Sequence, residues 1–139
     1  MNNKLLKKAA KLMSKAETAT LSSIDESGYP RAVEMSNIKT ESLNVIYFAT
    51  GTDSRKVKHY MMNSKAGVSY NNGLSLIGEI EIVEDKELKE KLWQEWFTKH
   101  FPKGITDPNY CILKFISKEA VIYIDDIFTT ISLPCGVIE

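Results

Sequence analysis

The chain has 139 residues, 43% of them hydrophobic, and its 18 basic side chains balance 18 acidic ones. This length suits one domain whose core folds without disulfides or metal, so we expect a single domain over residues 1–139. The zero net charge argues against general nucleic-acid binding, which requires clustered positive charge. The isolated cysteines and histidines match no metal-ligand spacing, so we expect no metal site.

The N-terminal segment predicts an amphipathic helix rather than a signal peptide. A basic amphipathic helix can lie on a membrane, but this one has no aromatic anchor, and we expect it to cover its own domain. No apolar run approaches the roughly 20 residues that span a bilayer, so we expect a cytoplasmic protein with free thiols. The apolar residues at helical spacing are Leu5, Leu6, Ala9, Leu12, Met13 and Ala16.

Three strands are predicted next, at residues 18–25, 31–39 and 45–50. The first two flank a turn cluster that contains Gly28 and Pro30, which is typical of a hairpin. The third is a short apolar run, as expected of a well-buried strand. The chain then breaks at a glycine, and a helix is expected from about residue 54 to 63.

The second half of the chain continues with short turns between strands. A turn at Asn71-Asn72-Gly73 is a strong hairpin signal, and Gly78 predicts a bulge or a close backbone approach. Asp85 is expected to cap a helix that runs to about His100. The short turns favour an antiparallel sheet, closed or nearly closed into a barrel with peripheral helices. The strands predicted here span residues 66–70, 74–84, 110–117, 120–124 and 128–133.

The segment most informative about chemistry lies where the third strand meets the following helix, Phe48-Ala49-Thr50-Gly51-Thr52-Asp53-Ser54-Arg55-Lys56. Free N–H groups at a helix start form an anion site. Arg55 and Lys56 fall in the first turn, where the helix dipole disfavours cations, and a bound phosphate would reverse that penalty. Taken alone, these residues also fit a solvated helix start with its charges in water.

In its order and spacing, this strand–turn–helix segment resembles the phosphate-binding segment of the pyridoxamine-phosphate-oxidase-like FMN split barrels, most closely their general stress protein 26-like branch. The resemblance covers about residues 5–133. Further matching pieces, in chain order, are the GYPR hairpin, the glycine within residues 77–83, Lys91-Leu92-Trp93, Phe101-Pro102 and Asp107-Pro108-Asn109-Tyr110.

The resemblance implies a mainly β (α+β) fold, an antiparallel split β-barrel of six to seven strands with peripheral helices. Ser54, Arg55 and Lys56 would hold the phosphate of FMN, and Thr50 would contact the phosphate or the ribityl chain. Arg31 matches the arginine that opens the preceding FMN-binding strand. The residues that would line the isoalloxazine ring, largely through backbone groups, are Ala32, Val33, Glu34 and Met35.

The resemblance also implies a homodimer with FMN at its interface. Size points the same way, because a small barrel fills its interior with side chains and leaves the flavin in a surface groove. A second copy related by a two-fold axis would cover that groove. We expect the interface surface to come from residues 45–50 with Trp93 or Trp96.

Two departures bear on activity. Ser36 stands where the authentic oxidases have a lysine, and the chain after Ile131 has neither the tryptophan nor the arginine of their C-terminal strands. Authentic pyridoxamine-phosphate oxidase activity is therefore not expected. The expectation is an FMN-dependent oxidoreductase that passes electrons between a nicotinamide donor and a small acceptor, with no catalytic residue assigned. The alternatives are a non-catalytic FMN-binding stress-response protein, or the same fold holding haem or F420.

Overall fold

The computed structural model describes residues 3–135, and their secondary structure is mainly antiparallel β. The helices are α1 (Asn3–Lys15), α2 (Arg55–Met62) and α3 (Lys86–Leu92), with two short 3₁₀ helices at Glu95–Lys99 and Gly104–Thr106. The strands are β1 (Thr18–Ile24), β2 (Pro30–Ser36), β3 (Lys39–Glu41), β4 (Val45–Gly51), β5 (Lys65–Tyr70), β6 (Leu74–Val83), β7 (Tyr110–Ile124) and β8 (Ile127–Ser132).

All eight strands belong to one sheet in the order β2-β1-β5-β6-β7-β4-β3, with β8 paired to β7. The 15-residue β7 is the central strand. Its first half pairs with β4, its second half pairs with β8, and β6 runs along its other side. The sheet curls into a half-barrel with peripheral helices, which confirms the mainly β split-barrel prediction. The observed strand number is eight rather than six to seven, because β3 is a separate three-residue strand.

A large apolar core fills the inside of the curled sheet, and α1 seals one side of it. Leu6, Ala9 and Met13 of α1 are each no more than 3% exposed, as the helical spacing of these residues predicts. Strands β4 and β7 contribute Phe48 and Phe115, which are fully buried. No helix within residues 3–135 is long and apolar enough to cross a membrane.

A second, smaller apolar cluster lies between β4, β7 and the segment after α3. Three of its aromatic members, Phe97, Phe101 and Tyr110, are at most 5% exposed. The rings of Phe97 and Tyr110 meet edge to face with centroids 5.7 Å apart, and those of Phe101 and Tyr110 are tilted with centroids 5.1 Å apart. This cluster fixes the segment that forms one wall of the candidate site described below.

The predicted helix over residues 85–100 is wrong in its second half. Asp85 does cap it, accepting a hydrogen bond from the Leu88 N–H, but α3 ends at Leu92 and a 3₁₀ helix follows after a two-residue break. The break lets Trp93 pack its ring edge to face on Phe97, with centroids 5.3 Å apart. Burial of these rings therefore overrides a helical continuation that local propensity favours.

Two further predictions concern β-structure. The break expected between residues 117 and 120 does not occur, because the chain there stays in the ladder: Glu119 pairs with Ser132 of β8. Gly78 does mark an irregularity, since the β6–β7 register shifts between Ile77 and Gly78. A Cβ at Gly78 would lie 2.1 Å from the Ile116 carbonyl oxygen, so the close backbone approach predicted there is confirmed.

Candidate functional site

The turn between β4 and α2 is held in place by Asn109, which directly precedes β7. Thr52 donates its N–H to the Asn109 carbonyl oxygen at 2.8 Å and its hydroxyl to Asn109 Oδ1 at 3.0 Å. A Cβ added at Gly51 would lie 2.8 Å from Asn109 Nδ2 and from Asp53 Oδ1. The tight packing around Gly51 therefore fixes where α2 begins.

The first turn of α2 is electropositive and lacks a side-chain cap. Ser54 occupies the N-cap position, but its hydroxyl makes no hydrogen bond to the helix and instead accepts one from the Thr50 hydroxyl at 3.3 Å. The first turn contains no acidic residue, whereas Arg55 and Lys56 both lie in it. Uncapped N–H groups and two cations at a helix start favour an anion.

Arg55 and Lys56 share a pocket of about 210 Å³ with Arg31 of β2. We call it the basic pocket. It forms because α2 packs on β1, where the Tyr60 hydroxyl donates to the Ser22 carbonyl oxygen at 2.8 Å, and because β2 is the hairpin partner of β1. Its lining residues are Leu21, Ser23, Arg31, Val33, Arg55, Lys56, His59 and Tyr60.

Two cations of the basic pocket are paired with acidic residues of the β1–β2 turn. Arg31 Nε lies 2.8 Å from Asp25 Oδ2, and this hydrogen bond, with the Tyr29 and Ser27 N–H groups, lowers the pKa of Asp25 to about 2. Arg55 Nη2 lies 2.8 Å from Glu26 Oε1. The hydrogen bond that Arg55 donates lowers the pKa of Glu26.

Lys56 differs from these two arginines. It forms no ion pair with any carboxylate of the described chain. Burial lowers the pKa of its ammonium, because desolvation disfavours the charged form. A partly buried cation without a counter-charge is a place where an anionic ligand would be stabilising.

A second cavity, of about 430 Å³, is lined by the ends of β2 and β4 and by the aromatic segment after α3. We call it the aromatic cleft. One side carries Glu34 and Met35 of β2, and the opposite wall carries Trp96, which is 42% exposed. Its lining residues are Glu34, Met35, Ser36, Ile38, Ala49, Thr50, Gly51, Asp53, Trp96, Phe97, His100, Phe101 and Asn109.

The structure brings most of the predicted site residues to these two cavities. Arg31, Val33, Arg55 and Lys56 line the basic pocket, and Glu34, Met35 and Thr50 line the aromatic cleft. Ser54 lines neither cavity, but it accepts a hydrogen bond from Thr50 of the aromatic cleft and directly precedes Arg55 of the basic pocket. Ala32 lines neither cavity, and Ser36, at the departure from the family lysine, lines the cleft.

Sequence reasoning missed the basic-pocket residues His59 and Ser23 and gave no role to Asn109. The signal for His59 was available, because it follows Arg55 by four positions and Lys56 by three, which places all three on one helix face. The aromatic wall could not be found in the same way, because it depends on the helix break after Leu92. Within the expected interface surface at residues 45–50, Ile46 and Phe48 are fully buried inside one chain and cannot contribute, whereas Ala49 lines the aromatic cleft with Trp96.

The sequence matches the family profile described as pyridoxamine 5'-phosphate oxidase like over residues 4–127. That match covers most of the chain, which therefore belongs to the pyridoxamine 5'-phosphate oxidase-like family. This split-barrel family is in general one of flavin-binding proteins. A search of curated proteins found no significant match.

Solved structures extend the comparison. A Clostridium acetobutylicum protein related to general stress protein 26 of Bacillus subtilis, of the pyridoxinephosphate oxidase family, is 28% identical with a TM-score of 0.83, covering 96% of this chain and 97% of its own. General stress protein 26 from Bacillus anthracis is 23% identical with a TM-score of 0.76, over 94% and 98% of the two chains. A NimC/NimA family protein from Clostridium acetobutylicum is 20% identical with a TM-score of 0.66, over 92% and 93%. The last two show the shared fold.

Proposed function

We propose that the protein binds FMN, with the phosphate in the basic pocket and the isoalloxazine ring in the aromatic cleft. The observation that carries the proposal is the meeting of Arg31, Arg55 and the unpaired Lys56 in one pocket at an uncapped helix start. Arginine can grip a phosphate bidentately, and lysine supplies a point charge.

The aromatic cleft suits the ring in size and character. Its volume of about 430 Å³ falls within the roughly 300–1,000 Å³ usual for small-molecule sites. Its lining combines aromatic residues of the segment after α3 with residues of the edge strand β2. Thr50 lines the cleft and hydrogen-bonds Ser54 at the helix start, so a ligand that spans both cavities passes the predicted contact residues in order.

The proposed activity is FMN-dependent oxidoreduction between a nicotinamide donor and a small acceptor. Bound FMN would supply the electron-transfer chemistry, and this chain would supply binding, orientation and polarity around the ring. Exclusion of water from the ring would come from the aromatic segment around Trp96 and Phe97. A flavoprotein without turnover is the second candidate, because the residues of the two cavities account for binding of the flavin without assigning an electron donor or acceptor.

The ligand is tested by the spectrum of protein purified gently or mixed with FMN. Flavin absorbance with quenched fluorescence supports the proposal, whereas a Soret band or a deazaflavin spectrum would assign haem or F420 instead. Riboflavin is the matched control ligand because it lacks only the phosphate, and we expect it to bind much more weakly. Equal affinity for the two flavins would reject the basic pocket as the phosphate site. Oxidation of reduced nicotinamide with a panel of acceptors then separates an enzyme from a carrier.

We further propose that a second copy of the chain covers the flavin. Strand β2 lies at the edge of the sheet, and almost all of its residues on both faces are exposed, including Val33 at 44%. A long exposed edge strand with apolar residues invites a partner, and Tyr29, 70% exposed, and Trp96 extend the surface. Sedimentation with and without FMN tests this: we expect FMN to favour the dimer. A monomer that binds FMN tightly would contradict the shared site.

A further inference from the structure

His59 is a buried histidine of the basic pocket to which the phosphate site described above assigns no role. Its side chain is 3% exposed, and its ring Nδ1 lies 2.8 Å from the hydroxyl oxygen of Ser23, which is also buried. Its Nε2 is buried and has no hydrogen-bond partner within residues 3–135. Buried polar groups in folded proteins are nearly always paired, so this atom calls for a ligand.

The surroundings of Nε2 determine which ring nitrogen carries the proton. Nε2 lies 3.2 Å from Glu26 Oε2, although the direction of approach makes no hydrogen bond. A bare Nε2 would lie beside that negative charge with no proton to offset it, so the surroundings favour the neutral ring form that carries its proton on Nε2. In the neutral ring, Nδ1 then accepts from the Ser23 hydroxyl. Ser23 and His59 together present an N–H donor to the pocket.

The Glu26 carboxylate occupies the position next to His59 Nε2 that a bound anion would take. Its carboxylate has one oxygen 2.8 Å from Arg55 Nη2 and the other next to His59 Nε2. The Glu26 side chain is 56% exposed and comes from the β1–β2 turn, so it can move away without disturbing the core. Carboxylates and phosphates compete for the same arginine and imidazole donors.

We propose that His59 is an additional phosphate ligand, donating from Nε2, and that Glu26 is an internal anion which the phosphate displaces from Arg55 and His59. The inference deepens the function proposed above and relies on it for FMN as the carrier of the phosphate, but the anion site can be tested without flavin. Ser23 is a positioning residue in this arrangement, because it holds the ring in the Nε2–H form.

The first experiment uses the full chain in phosphate-free buffer and follows the two histidine rings by long-range ¹H–¹⁵N NMR. We expect His59 to show a protonated Nε2 before any addition. Titration with inorganic phosphate should shift the His59 Nε2 signal and leave His100, the second histidine of the chain, unchanged. Equal shifts of both histidines in the phosphate titration, or no shift of His59 at saturating phosphate or FMN, would overturn the proposal; FMN itself is expected to shift His100 too, since His100 lines the aromatic cleft.

The second experiment compares the affinities of variants for FMN, riboflavin and inorganic phosphate. His59→Phe should weaken FMN binding by about tenfold, the worth of one hydrogen bond to a charged group, and leave riboflavin unchanged, whereas His59→Gln should retain part of the binding. Glu26→Gln should tighten both FMN and phosphate, because it removes the competing charge. Weaker binding by Glu26→Gln, or equal loss of both flavins in His59→Phe, would refute the proposal. If His59→Phe does not fold, the affinities of Glu26→Gln and the NMR titration of the wild type still test whether His59 binds the phosphate.

The two proposals fail separately. Phosphate that shifts His59 in a protein that binds no flavin would support the anion site and reject FMN as its ligand. FMN that binds tightly while the His59 signals stay unchanged would support the proposed function and reject His59 as a ligand.

Discussion

Replacing Lys56 with alanine separates the phosphate site from the stability of the fold. The Lys56 ammonium has no carboxylate partner in the described chain, and burial lowers its pKa. Because the folded protein holds this charge at a cost, its removal should leave the free energy of unfolding within about 0.5 kcal/mol of the wild type or raise it. The same substitution removes a ligand of the phosphate, so FMN binding should weaken by about 1.5–3 kcal/mol, or about 10- to 150-fold in Kd.

Arg55→Ala should weaken FMN binding by the lower end of the same range. Arg55 is about half exposed and already bound to Glu26, so its gain on meeting a phosphate is offset by the ion pair that it gives up. The matched control is Lys58→Ala, which removes an exposed lysine of the same helix that lies outside the basic pocket.

The assay is fluorescence titration of FMN and riboflavin at low and high salt, with urea unfolding of each variant. FMN affinity of the wild type should fall with salt more steeply than that of Lys56→Ala, because the variant has one close charge fewer beside the phosphate. If Lys58→Ala weakens FMN binding as much as Lys56→Ala, or if Lys56→Ala weakens riboflavin and FMN binding equally, then Lys56 does not bind the phosphate.

Two further predictions concern stability. The pKa of Asp25 is held at about 2 against an ordinary 3.8, chiefly by Arg31, so its contribution to stability is complete above pH 3.8 and lost as the pH falls towards 2. Urea midpoints measured across this range should fall less for Asp25→Asn than for the wild type, and parallel curves would contradict the assignment. Gly78→Ala should cost about 1–3 kcal/mol or more, since its Cβ meets the Ile116 carbonyl. Gly28→Ala, with only a positive φ and open space, should cost about 1 kcal/mol by the same measurement, and the reverse order would contradict the close approach at Gly78.

Local sequence signals predicted the elements whose structure is set locally. The lysine-rich amphipathic helix, the Asn71-Asn72-Gly73 hairpin and the cap at Asp85 all follow from residues within a few positions of one another, and the structure has each of them. The helix break after Leu92 could not be predicted in this way. It depends on aromatic partners such as Tyr110, which lies 17 positions beyond Trp93 in the sequence and packs against its ring.

The cationic residues of the candidate site could be predicted from the sequence, but their arrangement in one pocket could not. The FATGTDSRK segment indicated Arg55 and Lys56 as anion ligands, and the resemblance added Arg31, but only the packing of α2 on the β1–β2 hairpin shows that all three share one pocket. The acidic partners of the arginines were invisible to sequence reasoning for the same reason. Asp25 and Glu26 are ordinary turn residues in the sequence, and only the folded chain pairs Asp25 with Arg31 and brings Glu26 beside Arg55 at the start of α2.

In this chain of zero net charge, the acidic partners of the arginines set the local charge of the basic pocket, and that local charge decides how an anion binds. The basic pocket carries three cations, and Asp25 and Glu26 each pair with one of them, which leaves a single positive charge on Lys56. While Glu26 stays in place, this single positive charge is smaller than the charge of a phosphate near its dianionic form. Release of the exposed Glu26 frees Arg55 and adds one unit of positive charge, whereas Asp25, 3% exposed and bound to backbone N–H groups, stays with Arg31. The affinity for a phosphate therefore depends on how readily Glu26 leaves as much as on the number of cations.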